Sequence, residues 1–204
     1  LLCSTLLFLL LSQPATSTSQ HQHQQIRRLR FTGAHQKNDN KEEKPKVKPG
    51  INNVQNIDAI FSGHRIGLIT NPSGVAFNFT ATIDILFEEK KKFQLVALFS
   101  PEHGLRGDQP PGQHTESYTD PITGLPVFSL YGSNLAPTKE QVKNLTMLVF
   151  DLQDVGVRCF TYMSTLAKSL QVAAQYGLEF AVIDRLNPNG ASNDRVDGPV
   201  LQRD

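Results

Sequence analysis

The sequence lacks most of the features that assign a chain to a common class of protein. It has no tryptophan and two cysteines in 204 residues, and 20 Lys and Arg against 19 Asp and Glu give a net charge of +1. This balance provides no basic field that would attract nucleic acid. No uninterrupted apolar run approaches the roughly 20 residues that a membrane-spanning helix needs. The sequence therefore predicts neither a nucleic-acid partner nor a stable membrane span.

The common cofactor and nucleophile motifs are missing as well. Neither G-x-G-x-x-G nor the phosphate loop G-x-x-x-x-G-K-[ST] occurs, and there is no G-x-S-x-G nucleophile elbow. The spacing of His64, His103 and His114 matches no standard metal site. The sequence therefore predicts no cofactor and no bound metal, and it disfavours nucleotide-dependent enzymes and common serine hydrolases.

A hydrophobic content of 39% indicates that part of the chain lies outside a compact domain. Residues 1–17 begin with Leu and hold the run LLCSTLLFLLL followed by small residues, so they are interpreted as a signal peptide with a truncated start. A membrane anchor and a buried helix are the alternatives. Residues 18–49 are polar and are predicted to be a disordered linker, because they have little apolar surface to bury. The protein is therefore expected to be secreted or extracytoplasmic.

The two cysteines are not expected to form a disulfide. Cys3 lies in the signal segment and would be removed with it, which leaves Cys159 alone. Beside Phe160, Cys159 is predicted to be a buried small apolar group rather than a catalytic thiol, since no histidine lies near it in sequence.

From Gly50 onward, predicted strands and helices alternate along the chain. Short apolar runs predict strands at 65–70, 95–99, 127–131, 147–151 and 180–184. Apolar spacing and end signals predict helices at 51–61, 80–92, 138–144 and 161–176, with Thr80 or Thr82 as the cap of the second. Strands that are apolar throughout are covered on both faces, as in a parallel sheet. Residues 50–204 are therefore predicted to form an open, doubly wound α/β domain.

Four of the predicted strands end in polar side chains. Because ligands bind outside the carboxyl ends of parallel strands, these side chains are expected to line one cleft. They are Thr70 and Asn71, then Ser100, Glu102 and His103, then Asp151, Gln153, Asp154 and Arg158, and finally Asp184, Arg185 and Asn187. Several carboxylates at such an edge suit a polar small ligand or a sugar.

The stretch from Leu95 to Gly112 holds the densest polar group of the chain. Glu102, His103, Arg106 and Asp108 follow a buried strand and lie among glycines, which is typical of a binding or catalytic loop. A surface loop of solvated charges is the alternative.

Paired carboxylates at a cleft suit glycoside hydrolysis, in which one protonates the leaving oxygen and another acts as nucleophile or base. Glu102 is the candidate acid. The aspartates at the other strand ends have a structural alternative, which is to cap a helix or pair with arginine; they are Asp151, Asp154 and Asp184, with Arg158 and Arg185 as partners.

Five segments resemble, in the same order, those of the NamZ-type exo-β-N-acetylmuramidases. They are ITNPSGV (69–75), LFSPEHGLRGDQPPG (98–112), DPITGLPVFSLYG (120–132), LVFDLQDVGVRCFTYMSTL (148–166) and VIDRLNPNG (182–190). The resemblance implies an exported enzyme that removes N-acetylmuramic acid from the non-reducing ends of peptidoglycan fragments. It also implies a Rossmann-like N-terminal domain, a smaller C-terminal domain and an active-site cleft between them.

The resemblance also assigns roles to individual residues. It implies Glu102, His103 and Asp154 as catalytic residues. It implies a substrate-binding set made of Asn71, Arg106, Gln153, Arg158, Tyr162, Asp184, Arg185 and Asn187. Two positions depart from the family pattern: Cys159 replaces an aromatic or other bulky residue, and Leu186 replaces a common proline.

The family's chain continues past Asp204, so its second domain is expected to be absent here. This leaves two alternatives to an active muramidase. One is a non-catalytic fragment that binds amino sugars, and the other is a truncated product with no independent function.

Overall fold

The strand and helix alternation predicted from residue 50 onward is present in the computed structural model. The structure describes residues 8–9, 47–89, 92–107, 116–132, 134–190, 192, 194 and 198. Of the predicted signal segment it therefore describes Phe8–Leu9, and the predicted linker lies outside the described residues up to position 46.

Seven strands and four α-helices make up the described fold. The strands are β1 (Phe8–Leu9), β2 (Arg65–Thr70), β3 (Gln94–Ser100), β4 (Tyr118–Thr119), β5 (Pro126–Ser129), β6 (Met147–Asp151) and β7 (Glu179–Val182). The helices are α1 (Val54–Phe61), α2 (Thr82–Glu88), α3 (Lys139–Val142) and α4 (Tyr162–Tyr176), and a 3-10 turn (Gly50–Asn52) precedes α1.

All seven strands belong to one sheet, in the order β1-β7-β6-β2-β3-β5-β4. The five central strands are parallel to one another, whereas β1 and β4 pair antiparallel at the two edges. The prediction of a mostly parallel, Rossmann-like α/β domain is confirmed.

The helices cover both faces of the sheet. Adjacent residues of β2 belong to different apolar layers: Leu68 packs with α1 and α2, and Ile69 packs with α3 and α4. This division follows from the strand geometry, in which successive side chains point to opposite faces. The central strands are buried on both faces, and all five residues of β6 are buried. The sheet is therefore doubly wound, as its all-apolar strands predict.

The strand order reverses direction at β2, and this reversal locates a crevice. After β2 the chain adds β3 and β5 on one side, and it then crosses back to place β6 and β7 on the other side. The connections that leave β2 and β6 consequently lead to helices on opposite faces of the sheet, α2 and α4, and such a switch point is where open α/β sheets bind ligands. Asn71 follows β2 and Leu152 follows β6, so both residues stand at the switch point.

Helix α2 differs from its prediction. It spans Thr82–Glu88 rather than residues 80–92, and its N-cap is Ala81, with no side-chain cap. The threonines are used otherwise: the Thr80 carbonyl accepts from the Ala76 amide at 2.9 Å, and the Thr82 amide donates to the Gly74 carbonyl at 2.8 Å. The prediction that Thr80 or Thr82 caps the helix is wrong, because these groups close the preceding loop. In contrast, α4 ends at Gly177 with φ +68°, as its glycine predicts.

Within the described residues, no helix is both long enough and apolar enough to cross a lipid bilayer.

Candidate active site

A hydrogen-bond network joins the two strands at the switch point. The Asn71 amide nitrogen Nδ2 donates to the Tyr162 hydroxyl at 2.8 Å, and both side chains are buried. Asn71 Oδ1 accepts from the amide and the hydroxyl of Ser73. The Ser73 hydroxyl in turn accepts from the backbone amide of Gln153 at 3.0 Å. The exits of β2 and β6 and the first turn of α4 are thereby held together.

Glu102 lies in a small recess at the carboxyl ends of β3 and β5. The recess is lined by Ser100, Pro101, Glu102, His103, Gly104, Tyr118, Val127, Ser129 and Tyr131. The side chain of Glu102 is half-buried. The Tyr131 hydroxyl forms a hydrogen bond with it, and this bond and the carboxylate charge raise the pKa of Tyr131. The strand end therefore presents a carboxylate beside a phenol.

The backbone after Glu102 is strained. His103 has φ +75°, in the left-handed region that residues with a Cβ rarely adopt, and Gly104 follows with φ +79°. The His103 side chain is exposed. Backbone strain of this kind persists where the surrounding structure imposes it, and it is concentrated at functional sites.

An ion-pair cluster anchors the loop that carries Glu102. Arg106 donates to both carboxylate oxygens of Asp120, at 2.8 and 3.0 Å, and to Asp84 Oδ1 at 3.0 Å. Burial acts to raise the pKa of Asp120, but hydrogen bonds from Arg106 and Thr123 outweigh it and lower that pKa to about 2. Arg106, predicted to bind substrate, thus fastens the loop to α2 and to the segment before β5.

A second buried ion pair lies beneath the switch point. Arg185 Nε and Nη2 donate to the two carboxylate oxygens of Asp151, at 2.5 and 2.9 Å, and Nη1 donates to the Val75 carbonyl at 2.9 Å. Both side chains are almost completely buried. The structural alternative for Asp151, pairing with Arg185, is confirmed. The bidentate contact fixes the exits of β6 and β7 relative to the loop after β2.

Asp154 has one fixed and one unsatisfied carboxylate oxygen. Oδ1 accepts from the Gly156 amide at 2.7 Å. Oδ2 is buried and has no hydrogen-bond partner among the described residues. A buried carboxylate oxygen without a donor is costly in a folded protein. An unpaired Asp154 oxygen at this place in the fold is expected if a bound ligand donates a hydrogen bond to it.

The charges of both predicted catalytic carboxylates affect the pKa of the Tyr162 hydroxyl. Burial is the largest cause of its raised pKa, and the charges of Glu102 and Asp154 raise it further. The hydrogen bond with Asn71 acts in the opposite direction. Glu102 and Asp154 follow β3 and β6, the two neighbours of β2, and the charges of both raise the pKa of this hydroxyl on α4.

The remaining predicted residues form the outer part of this edge. The Gln153 side chain donates to the Asp154 and Leu186 carbonyls, both at 2.7 Å, and so connects two strand exits. Asn187 Oδ1 accepts from the Asn189 amide at 3.0 Å. Arg158 and Asp184 are exposed.

Cys159 is exposed, so the prediction that it is a buried apolar group is wrong. It lies in the loop between β6 and α4, where Val157 and Phe160 are exposed as well. The apolar side chains on either side of Cys159 are therefore themselves exposed, and an apolar neighbour in sequence does not imply burial.

Three contributors to the site were missed by the sequence reasoning: Ser73, Asp120 and Tyr131. Tyr131 follows β5 as Glu102 follows β3, so the strand-end argument would have included it had β5 been treated like the other strands. Ser73 and Asp120 carry no such signal, because their roles depend on contacts with Gln153 and Arg106, which are distant in sequence.

No three His, Cys, Asp or Glu side chains within the described ranges come together in a group that could hold a metal ion.

The sequence is similar to one family of proteins over most of the described fold. The family described as "Exo-beta-N-acetylmuramidase NamZ, N-terminal" matches residues 66–204. The chain is 45% identical to the peptidoglycan beta-N-acetylmuramidase NamZ of Bacillus subtilis (strain 168) over 161 residues. This matched region covers 78% of this chain and 38% of that protein.

Two solved structures of DUF1343 family proteins from Bacteroides fragilis NCTC 9343 are also similar. One has a TM-score of 0.64 and 46% identity, and the match covers 70% of this chain and 35% of that one. The other has a TM-score of 0.62 and 34% identity, and the match covers 76% of this chain and 38% of that one. The chain therefore spans less than two fifths of the length of these relatives.

Proposed function

This chain belongs to the family of the exo-β-N-acetylmuramidase NamZ, whose N-terminal part it matches, and we propose that it supplies the catalytic domain of such a glycosidase. The proposed enzyme releases N-acetylmuramic acid from the non-reducing ends of peptidoglycan fragments. Because the chain spans 38% of the Bacillus subtilis relative, the activity is proposed for the whole enzyme that carries this sequence.

The observation that carries the proposal is the placement of Glu102 and Asp154 after β3 and β6, the two strands that flank β2 and its Asn71–Tyr162 hydrogen bond. The charges of Glu102 and Asp154 raise the pKa of the Tyr162 hydroxyl, and Asn71 donates a hydrogen bond to its oxygen. The three groups come from separate chain segments and meet at the carboxyl edge of the sheet. A pair of carboxylates flanking a bond is the arrangement that glycoside hydrolysis requires.

The surroundings of each group suit a different role in this reaction. Glu102 is half-buried and follows a strand directly, which suits a general acid that protonates the leaving oxygen. Asp154 has a fixed Oδ1 and an unpaired Oδ2, which suits the second carboxylate. The Tyr162 oxygen accepts from Asn71, so its own proton is available to donate to an oxygen of the substrate.

The test uses two chromogenic sugars that differ at one group. The full-length enzyme is expected to release 4-nitrophenol from 4-nitrophenyl β-N-acetylmuramide and not from the matching β-N-acetylglucosaminide, which lacks the lactyl ether. Calorimetry with N-acetylmuramic acid provides the control for binding. Binding of the sugar without release of 4-nitrophenol from either substrate would contradict the hydrolase and favour a sugar-binding protein.

Replacing Tyr162 by Phe removes one hydroxyl and leaves the ring in place. If the hydroxyl donates to the substrate in the transition state, kcat falls by about a hundredfold and KM changes little. Steady-state kinetics on the chromogenic muramide measure both constants. Tyr176→Phe, at the exposed end of the same helix, is the matched control and should leave both unchanged. An effect of Tyr162→Phe on KM alone would contradict the proposed role.

We also propose that the enzyme acts outside the cytoplasm, because residues 1–17 resemble a signal peptide and peptidoglycan lies there. Cleavage after the small residues at 14–17 would remove β1 and leave β7 as the edge of the sheet. Fractionation of cells that express the full-length protein should find it in the extracytoplasmic fraction, with a shortened N-terminus. Recovery from the cytosol alone would contradict the proposal.

A further inference from the structure

Residues 75–81, the second part of the segment that connects β2 to α2 and here called loop 75–81, expose two aromatic rings. Phe77 is 56% exposed and Phe79 is 83% exposed. Phe79 also has φ +63°, a conformation that a residue with a branched or bulky side chain rarely adopts. The fold therefore accepts both an exposed apolar ring and a disfavoured backbone at one position. Such a combination indicates a function rather than a packing role.

The loop is held rigidly in this conformation. An antiparallel bridge joins Val75 to Ala81, and the Phe79 amide donates to the Ala76 carbonyl at 2.9 Å. Asn78 Oδ1 accepts from the Thr80 amide at 3.2 Å. Because these contacts fix the backbone on both sides of Phe79, its ring is presented to solvent in a defined position.

The loop is also attached to the candidate active site. Arg185, which pairs with Asp151, donates to the Val75 carbonyl at 2.9 Å. On the other side, the Phe77 amide donates to Asn52 Oδ1 at 3.2 Å. The turn that contains Asn52 begins at Gly50, whose amide donates to the Asp184 carbonyl at 2.8 Å. The backbone that carries the two rings is thus connected by hydrogen bonds to the exits of β6 and β7.

We propose that loop 75–81 is a second sugar subsite, in which Phe79 and Phe77 stack against the apolar faces of sugar rings of the glycan chain. The amides of Asn78, which is exposed between the two phenylalanines in sequence, and of Asn52, whose Oδ1 accepts from the Phe77 amide, provide hydrogen-bonding groups for sugar hydroxyls. The inference rests on the proposed function, since it takes the peptidoglycan glycan as the ligand. It assigns this loop to substrate affinity, apart from the bond cleavage at Glu102.

The size of the aromatic surface favours a sugar over a second copy of the chain. Two phenylalanine side chains at these exposures offer roughly 300 Å², whereas a stable protein interface buries about 800 Å² on each partner. Asn78, between the two phenylalanines in sequence, is polar and exposed, which makes the surface chemically mixed. One or two sugar rings match both the area and the mixed chemistry.

The test separates retention on the polymer from turnover of a small substrate. The full-length enzyme and its variants are sedimented with insoluble peptidoglycan freed of teichoic acids, and they are assayed in parallel on 4-nitrophenyl β-N-acetylmuramide. Phe79→Asn is the main variant, because asparagine is better tolerated at positive φ. We expect its melting temperature to be no lower than that of the parent, its retention to fall at least fivefold, and its kcat to stay within twofold.

Two further variants define the controls. Phe79→Tyr keeps an aromatic ring and should keep retention, and Ile122→Ala removes a side chain that is 66% exposed on the turn between β4 and β5 and should also keep it. Unchanged retention of Phe79→Asn would overturn the subsite, as would a change in the sedimentation coefficient, which would indicate an interface between copies. Absence of turnover with intact, Phe79-dependent retention would instead contradict the proposed hydrolase and leave the subsite standing.

Discussion

Glu102→Gln is expected to lower kcat of the full-length enzyme on 4-nitrophenyl β-N-acetylmuramide by about 10³-fold. The amide has nearly the same shape as the carboxyl group and still accepts from Tyr131, but it cannot deliver a proton to the leaving oxygen. The fold should not change, because Glu102 is half-buried and its loop is held by Arg106 rather than by its own side chain. Steady-state kinetics and a melting curve on the same preparation measure both effects.

A matched glutamate controls for the change of charge. Glu88→Gln alters an exposed residue at the end of α2 and should leave kcat within twofold of the parent. The leaving group offers a second control, since a better leaving group needs less protonation. The loss in Glu102→Gln should therefore shrink with a 2,4-dinitrophenyl aglycone. Normal turnover of the variant, or an equal loss on both aglycones, would exclude Glu102 as the general acid.

Asp120→Asn is expected to lower the free energy of unfolding at pH 7 by about 3 kcal/mol. The change leaves Arg106 without its bidentate partner, and the Asp120 side chain is almost fully buried. Urea denaturation of the full-length protein measures the loss. Asp84→Asn is the control, because Asp84 contacts the same guanidinium through one bond at a site that is 35% exposed; its loss should be under about 1 kcal/mol. Equal losses from the two variants would contradict a dominant role for Asp120.

The Arg106–Asp120 ion pair also predicts how the free energy of unfolding depends on pH. The pKa of Asp120 is lowered from 3.8 to about 2 in the folded state, so its contribution is complete above pH 4 and is lost as the pH falls toward 2. The contribution amounts to roughly 2 kcal/mol. Denaturation at pH 2 and at pH 5 should therefore show a smaller difference for Asp120→Asn than for the parent. An identical acid sensitivity in the two proteins would show that Asp120 does not titrate as assigned.

The fold was predictable because its signal is local. Five short, mostly apolar runs indicate strands that are covered on both faces, and the helices between them supply that cover. The edge on which polar groups collect followed from the same reasoning, since a parallel sheet has one carboxyl edge. Asn71, Glu102 and Asp154 were placed at this edge from their position after a strand alone.

Which of the polar groups pair with other protein groups and which stay unpaired was not predictable. Arg106 and Asp154 are both charged loop residues in sequence, yet Arg106 is held by two protein carboxylates and Asp154 keeps one oxygen unpaired. The difference depends on which distant side chains the fold delivers to each. Cys159 was misplaced for a related reason, because burial depends on what lies above a loop and not on its neighbours in sequence.

The crossing of the chain from β5 back to β6 determines when, during folding, the site can exist. The Asn71–Tyr162 bond closes over 91 residues, the Ser73–Gln153 bond over 80, and the Val75–Arg185 bond over 110. Contacts this far apart form only after a large cost in chain entropy has been met. β2 and β3 can pair early through a short crossover, but the candidate site residues after β2 and β6 come together only when β6 pairs with β2. Nascent or partly folded chains are therefore expected to have no activity until nearly the whole domain has emerged.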